Sequence, residues 1–224
     1  SRYDLESISR LAQSFGVLTV WDLSHSAGVM PLSLSNVGVD FAVGCGYKYL
    51  NGGPGAPGYL YVATKWQGEV TTPLRGWMGH ASPFDFSSDY IPAAGVRRML
   101  CGSPPILSMI ALDVAVDLLL RAKVTDIRVK SLKLTSLFME VLAQYSDTYD
   151  FKILTPIDEK DRGGQVSISC SAASRRLKSL ANSGLIADFR PPDLLRFGFS
   201  PLYTRYVDVW DASTTLLKVL EPPG

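Results

Sequence analysis

The sequence predicts an α/β domain over residues 1–121 followed by a smaller α+β domain over residues 122–224, and three observations predict it. Helical spacing gives way to short, continuously apolar runs in the first half, and runs without polar alternation suit strands covered on both faces. A Gly- and Pro-rich segment, and later a long aperiodic stretch, interrupt those runs where loops are needed. Beyond residue 122 helical periods alternate with brief strand-like runs, the pattern of a separate smaller layer.

Taken in order, Leu5, Ile8, Leu11, Ala12 and Phe15 recur at helical spacing behind the cap residue Asp4, and Gly16 is a natural stop. Val17–Trp21 reads as a strand ending at Asp22, with Asp40–Gly44 and Gly58–Val62 as further strands. Asn51–Pro57, holding three glycines and two prolines, can only be a loop of unusual backbone shape. Thr71–Gly102 mixes prolines, glycines and aromatics without periodicity, an irregular excursion of the kind that carries function. Pro104 and Pro105 open a buried helix through Arg121 with Ile106, Ile110, Val114 and Leu118 on its apolar face. In the second domain, helices are expected over 124–145, 174–182 and 204–220, and strands over 151–154, 165–169, 184–188 and 194–199.

The 22 basic and 21 acidic side chains nearly cancel, so no net field favours a nucleic acid or an anionic membrane as partner. The most apolar stretch, from Pro105 to Leu120, is broken by Asp113 and Asp117 and is too short to cross a bilayer of about 30 Å. Cys45, Cys101 and Cys170 are odd in number and match no metal-ligand spacing, which fits a reducing, cytoplasmic setting and no metal site. Ser1 opens directly into Tyr3-Asp4-Leu5-Glu6 without a signal-like apolar run, as a chain would that starts in mid-fold.

Two residues carry the chemistry. Asp22 stands where an apolar strand ends, the place where ligands collect in open α/β sheets, although a lone aspartate there also serves as a turn former. Lys48 follows the next strand and precedes the Gly-rich loop, between Tyr47 and Tyr49. A partly desolvated lysine has a lowered ammonium pKa, and its neutral amine forms a Schiff base with an aldehyde; the competing reading is a lysine that covers apolar surface and reaches water. Together the pair asks for pyridoxal phosphate, which needs an amine for its aldehyde and a carboxylate for its ring nitrogen. His25, Tyr47 and Ser103 are candidate ring or phosphate contacts.

The runs Trp21-Asp22-Leu23-Ser24-His25-Ser26-Ala27-Gly28, Asp40 through Gly55 with its Tyr47-Lys48-Tyr49-Leu50-Asn51-Gly52-Gly53-Pro54-Gly55, Gly76-Trp77-Met78-Gly79-His80 and Arg196 through Tyr203 resemble kynureninase, its bacterial members above all. The resemblance covers nearly the whole chain. It implies a fold-type-I pyridoxal-phosphate enzyme, aspartate-aminotransferase-like, with residues 1–121 as the later part of the cofactor-binding large domain and 122–224 as the small domain. It further implies a cytoplasmic homodimer with shared active sites that hydrolyses L-kynurenine or 3-hydroxykynurenine to L-alanine and an anthranilate, in tryptophan catabolism.

By the same resemblance Lys48 is the Schiff-base lysine and general base, Asp22 the acid at the pyridine nitrogen, and His25 and Tyr47 pocket residues, Tyr47 also a candidate proton relay. Trp77 and Ser103 match residues that reach the cofactor phosphate from the neighbouring subunit, Arg196 the arginine that grips the substrate carboxylate, and His80 a residue near the substrate's aromatic ring. Met78 stands where an aromatic is usual and Ser103 where threonine or asparagine is. Members are about twice this length, so the phosphate loop and the ring-stacking aromatic belong to a part not in this chain. The alternatives are another fold-type-I enzyme, a desulfurase or an aminotransferase, and an inactive fragment acting as an interaction module.

Overall fold

The computed structural model of the chain describes residues 1–221. They divide into two compact units: one of Asp4–Ala27 and Leu32–Arg121, the other running from Ala122 onward and taking in Ser1–Tyr3 and Gly28–Pro31.

In the first unit, α1 (Leu5–Ser14) is capped by Asp4, whose carboxylate accepts the Ser7 N–H at 3.1 Å. β1 (Val20–Asp22), β2 (Phe41–Cys45) and β3 (Gly58–Val62) form a sheet in that order, with β1 parallel to β2 and β3 antiparallel to it. A short α2 (Leu34–Val37) lies between β1 and β2 in the chain. The Trp21 indole donates to Ser9 Oγ at 2.9 Å and so fastens β1 to α1. Between β3 and α3 (Ile106–Leu119) the irregular excursion holds short 3₁₀ turns, among them Trp77–Gly79 and Gly95–Met99, and an isolated antiparallel bridge of His80 with Pro92.

Three expectations need correction here. The strand expected from Val17 begins at Val20, because the Thr19 N–H is taken by the Asp40 carboxylate at 3.0 Å instead of joining the ladder. The sheet is not covered on both faces: Val20, Val43 and Leu60, which share one face by register, are 67%, 43% and 41% exposed. Helix α3 is not buried either. None of its residues is buried, and Ile106, Ile110, Val114 and Leu118, the expected inner face, are all exposed. Its contact with the loop runs through Leu112, which lies against Gly46 and Gly52.

In the second unit, β4 (Phe151–Ile153), β5 (Gln165–Cys170), β6 (Asp188–Arg190) and β7 (Leu194–Gly198) make an antiparallel sheet ordered β4-β5-β7-β6. Val166, Ile168, Leu195 and Phe197 alternate inward, and α4 (Val124–Ala143), α5 (Ala173–Asn182) and α6 (Tyr206–Leu220) cover that face. Phe138 of α4 meets Phe197 and Phe199 at 5.0 and 5.1 Å between ring centroids. The strand expected over 184–188 is displaced to Asp188–Arg190, since Gly184, at φ +81°, forms the turn out of α5. Asp208 sharpens the start of α6 by accepting the Arg205 N–H at 2.7 Å.

Candidate active site

β1 and β2 run parallel and end together, so the residues beyond their C-terminal ends share one rim of the sheet. Asp22 is the last residue of β1 and Lys48 follows β2 by three positions. The Lys48 ammonium is among the charges that lower the Asp22 pKa. Larger than that is Ser24, whose side chain and N–H both hydrogen-bond the carboxylate, the N–H at 2.8 Å to Oδ1; His25 adds a smaller pull. Asp22 is therefore held as a carboxylate, ready for a positive group. Lys48 is half-buried, with its Nζ 5.4 Å from the centroid of the exposed Tyr47 ring.

The Gly-rich loop holds Lys48 in place through its backbone. Gly46 N–H donates to the Pro57 carbonyl and Gly52 N–H to the Gly46 carbonyl, both at 2.9 Å, while Asn51 N–H closes a turn on the Lys48 carbonyl at 2.9 Å. Asn51 itself sits in the left-handed region at φ +60°, its side-chain amide donating to the Tyr49 carbonyl at 2.7 Å. A Cβ on Gly46 would lie 2.8 Å from the Pro57 oxygen and from Leu112, so only glycine admits this approach of loop to helix.

Trp77, His80 and Ser103 belong to the same unit. Met78 N–H donates to the Cys101 carbonyl at 3.1 Å, which lays the Trp77 turn against the segment leading to Ser103. Trp77 is 44% exposed and meets Phe84 edge-on at 5.5 Å; Ser103 is exposed. Trp77, His80, Pro83, Phe86 and Tyr90 line a cavity of about 450 Å³. His80 is buried, and both ring nitrogens are engaged. Nδ1 accepts the Ser82 N–H at 2.9 Å, so the proton belongs on Nε2, which faces the Asp89 carbonyl at 3.1 Å. The ring thus clips together the two ends of the 81–91 loop, a task its expected place beside a substrate did not foretell.

Arg196 belongs to the second unit, on β7, with Leu195 and Phe197 buried on either side while its own side chain points to the other face. Its Nε donates to Asp188 Oδ2 at 3.0 Å and its Nη2 to the same oxygen. Asp188 and Ser24 are the partners that sequence reasoning did not single out. A strand-end aspartate readily accepts the backbone N–H two residues on, a recognisable turn signal, so Ser24 had one. Asp188 had none, because its pairing depends on the register of β6 against β7.

Comparison with known proteins shows what the chain is similar to. Residues 127–216 match the kynureninase C-terminal domain. The chain is 44% identical over 220 residues to a kynureninase of Deinococcus radiodurans and 38% identical over 219 residues to one of Pseudomonas fluorescens, each alignment covering 98% of this chain. It spans about half the length of these curated relatives, 54% and 53%. Among solved structures it is similar to a cysteine desulfurase from Thermococcus onnurineus, with a TM-score of 0.81, 20% identity, and 97% of this chain and 56% of that one covered. An alanine–glyoxylate aminotransferase from Nostoc matches with a TM-score of 0.72 and 18% identity over 99% of this chain and 58% of that one. Likeness at that identity concerns the fold, which is that of the fold-type-I pyridoxal-phosphate enzymes, and the chain is by sequence a homologue of the kynureninases, matching about half of their length.

Proposed function

We propose that this chain supplies the amine and the carboxylate of a pyridoxal-phosphate site and that the protein hydrolyses L-kynurenine or 3-hydroxykynurenine to L-alanine and the corresponding anthranilate. The observation that carries the proposal is the placement of Asp22 and Lys48 beyond the C-terminal ends of the neighbouring parallel strands β1 and β2. A carboxylate held ionised and an amine on the same rim fit the two ends of one pyridine aldehyde. The 44% identity to a kynureninase favours this reaction over desulfuration or transamination.

Bound there, pyridoxal phosphate would supply an electron sink for charge developing at the substrate's α-carbon. Lys48 would hold the aldehyde through its Nζ, and the same amine is placed to serve as the base for the proton on the substrate's α-carbon. Asp22, kept ionised by Ser24, favours a protonated ring nitrogen. Tyr47 and His25 flank the ring, Tyr47 with a hydroxyl able to relay a proton. Trp77 and Ser103 reach the phosphate of a partner copy in a homodimer, His80 shapes the loop beside the substrate's aromatic ring, and Arg196 binds the substrate carboxylate. The setting is cytoplasmic and the pathway tryptophan breakdown; no helix among the described residues is long and apolar enough to cross a membrane.

Titrating the protein with pyridoxal phosphate tests this. The visible band of a lysine-bound aldehyde should grow to one equivalent and vanish in Lys48→Ala, along with turnover of kynurenine. A variant that kept both would refute the assignment.

A further inference from the structure

We propose that Asp188 is a positioning residue for substrate recognition, presetting the guanidinium of Arg196 so that one edge of its fork is presented to the substrate's carboxylate. This rests on the reading of Arg196 as the carboxylate-binding group. A guanidinium offers two paired-donor edges, Nε with Nη2 and Nη1 with Nη2. Asp188 Oδ2 occupies the first of them, accepting from Nε at 3.0 Å and from Nη2. The edge through Nη1 is left for a ligand.

Register makes this pairing a property of the sheet. Asp188 and Arg196 are direct cross-strand partners in β6 and β7, so their side chains leave the same face side by side. Arginine is among the side chains with most rotamer freedom, and a guanidinium already fixed by its neighbour loses less on binding. The neighbour does not cancel its charge, because Asp188 is shared: its Oδ1 accepts from Arg190 Nη1 at 3.0 Å. Two guanidiniums around one carboxylate leave a net positive charge for an incoming anion. Arg190 is the more exposed of the two, its side chain at 57% against 24% for Arg196, so it balances Asp188 from solvent.

The experiment compares dissociation constants of the pyridoxal-phosphate-loaded protein for L-alanine and for L-alaninamide, read from the change in cofactor absorbance, together with KM and kcat for kynurenine. Asp188→Asn should cut the preference for carboxylate over amide roughly tenfold and raise KM by a similar factor with kcat within about twofold. Asp188→Glu should restore part of the preference, and Arg190→Ala, which leaves Asp188 balanced by Arg196 alone, should lower it by less than Asp188→Asn does. If Arg196→Lys abolishes the preference while Asp188→Asn leaves it intact, this inference fails and the reading of Arg196 stands. If the unsubstituted protein shows no preference for the carboxylate, or Arg196→Lys retains it, the reading of Arg196 fails and this inference with it.

Discussion

At the scale of single residues, the first unit is organised around Asp40 as much as around Asp22. Asp40 is 1% exposed, and its carboxylate takes the Thr19 N–H at 3.0 Å, the Trp66 indole at 2.8 Å and the Lys65 ammonium at 2.7 Å. Burial pushes its pKa up, but Lys65, Trp66 and Thr19 together outweigh burial and bring it down to about 2. A carboxyl with a depressed pKa stabilises the fold fully above its unfolded value of 3.8, and that stability is lost as pH falls through about 2. The difference amounts to about 2 kcal/mol. The unfolding free energy should therefore fall by about 2 kcal/mol more in the natural protein than in Asp40→Asn between about pH 5 and pH 2, as measured by urea titration. Equal slopes would mean that the charge on Asp40 does not matter.

At the scale of elements, the loop between β2 and β3 shows what a sequence discloses and what it withholds. Its composition announced an irregular backbone, and Asn51, Gly53 and Gly55 do take positive φ. Composition did not announce that Gly46 and Gly52 are glycines for a different reason, the approach of Leu112 from more than fifty residues later in the chain. Local signals such as the Asp4 cap, the alternation of β5 and the apolar run of β2 are written in neighbouring residues and were legible. The start of β1 and the place of β6 were not, because a distant carboxylate and a cross-strand register decide them. In the candidate site the same division holds: Lys48 and Asp22 stand out by position, whereas the groups that orient side chains, Asp188 on Arg196 and Ser82 on His80, depend on the fold. Gly46→Ala tests the loop. Its methyl would lie 2.8 Å from the Pro57 carbonyl, which is backbone and cannot turn aside, so the variant should lose about 1–3 kcal/mol in urea unfolding. An unchanged midpoint would show that the loop can retreat from α3.

At the scale of the whole molecule, the two units bury apolar surface very differently. The second has a continuous core from Leu134 to Leu220 that joins three helices to a four-stranded sheet. In the first, burial is limited to scattered positions such as Val39, Ala42 and Val62, while α3 exposes Ile106, Leu107, Ile110, Val114 and Leu118 and the sheet exposes Val20, Val43 and Leu60. Apolar faces of that extent bind other apolar matter, so the isolated chain should bind hydrophobic dyes and self-associate. Charging the helix face separates an open surface from a packed one. Ile110 and Val114 are 55% and 65% exposed, so the double variant Ile110→Glu, Val114→Glu removes little buried area. Dye fluorescence and sedimenting mass should both fall, with the thermal midpoint of the chain shifted by no more than a few degrees. A large loss of midpoint would instead mean that these side chains are already buried in the protein as it exists in solution, and that α3 is covered after all.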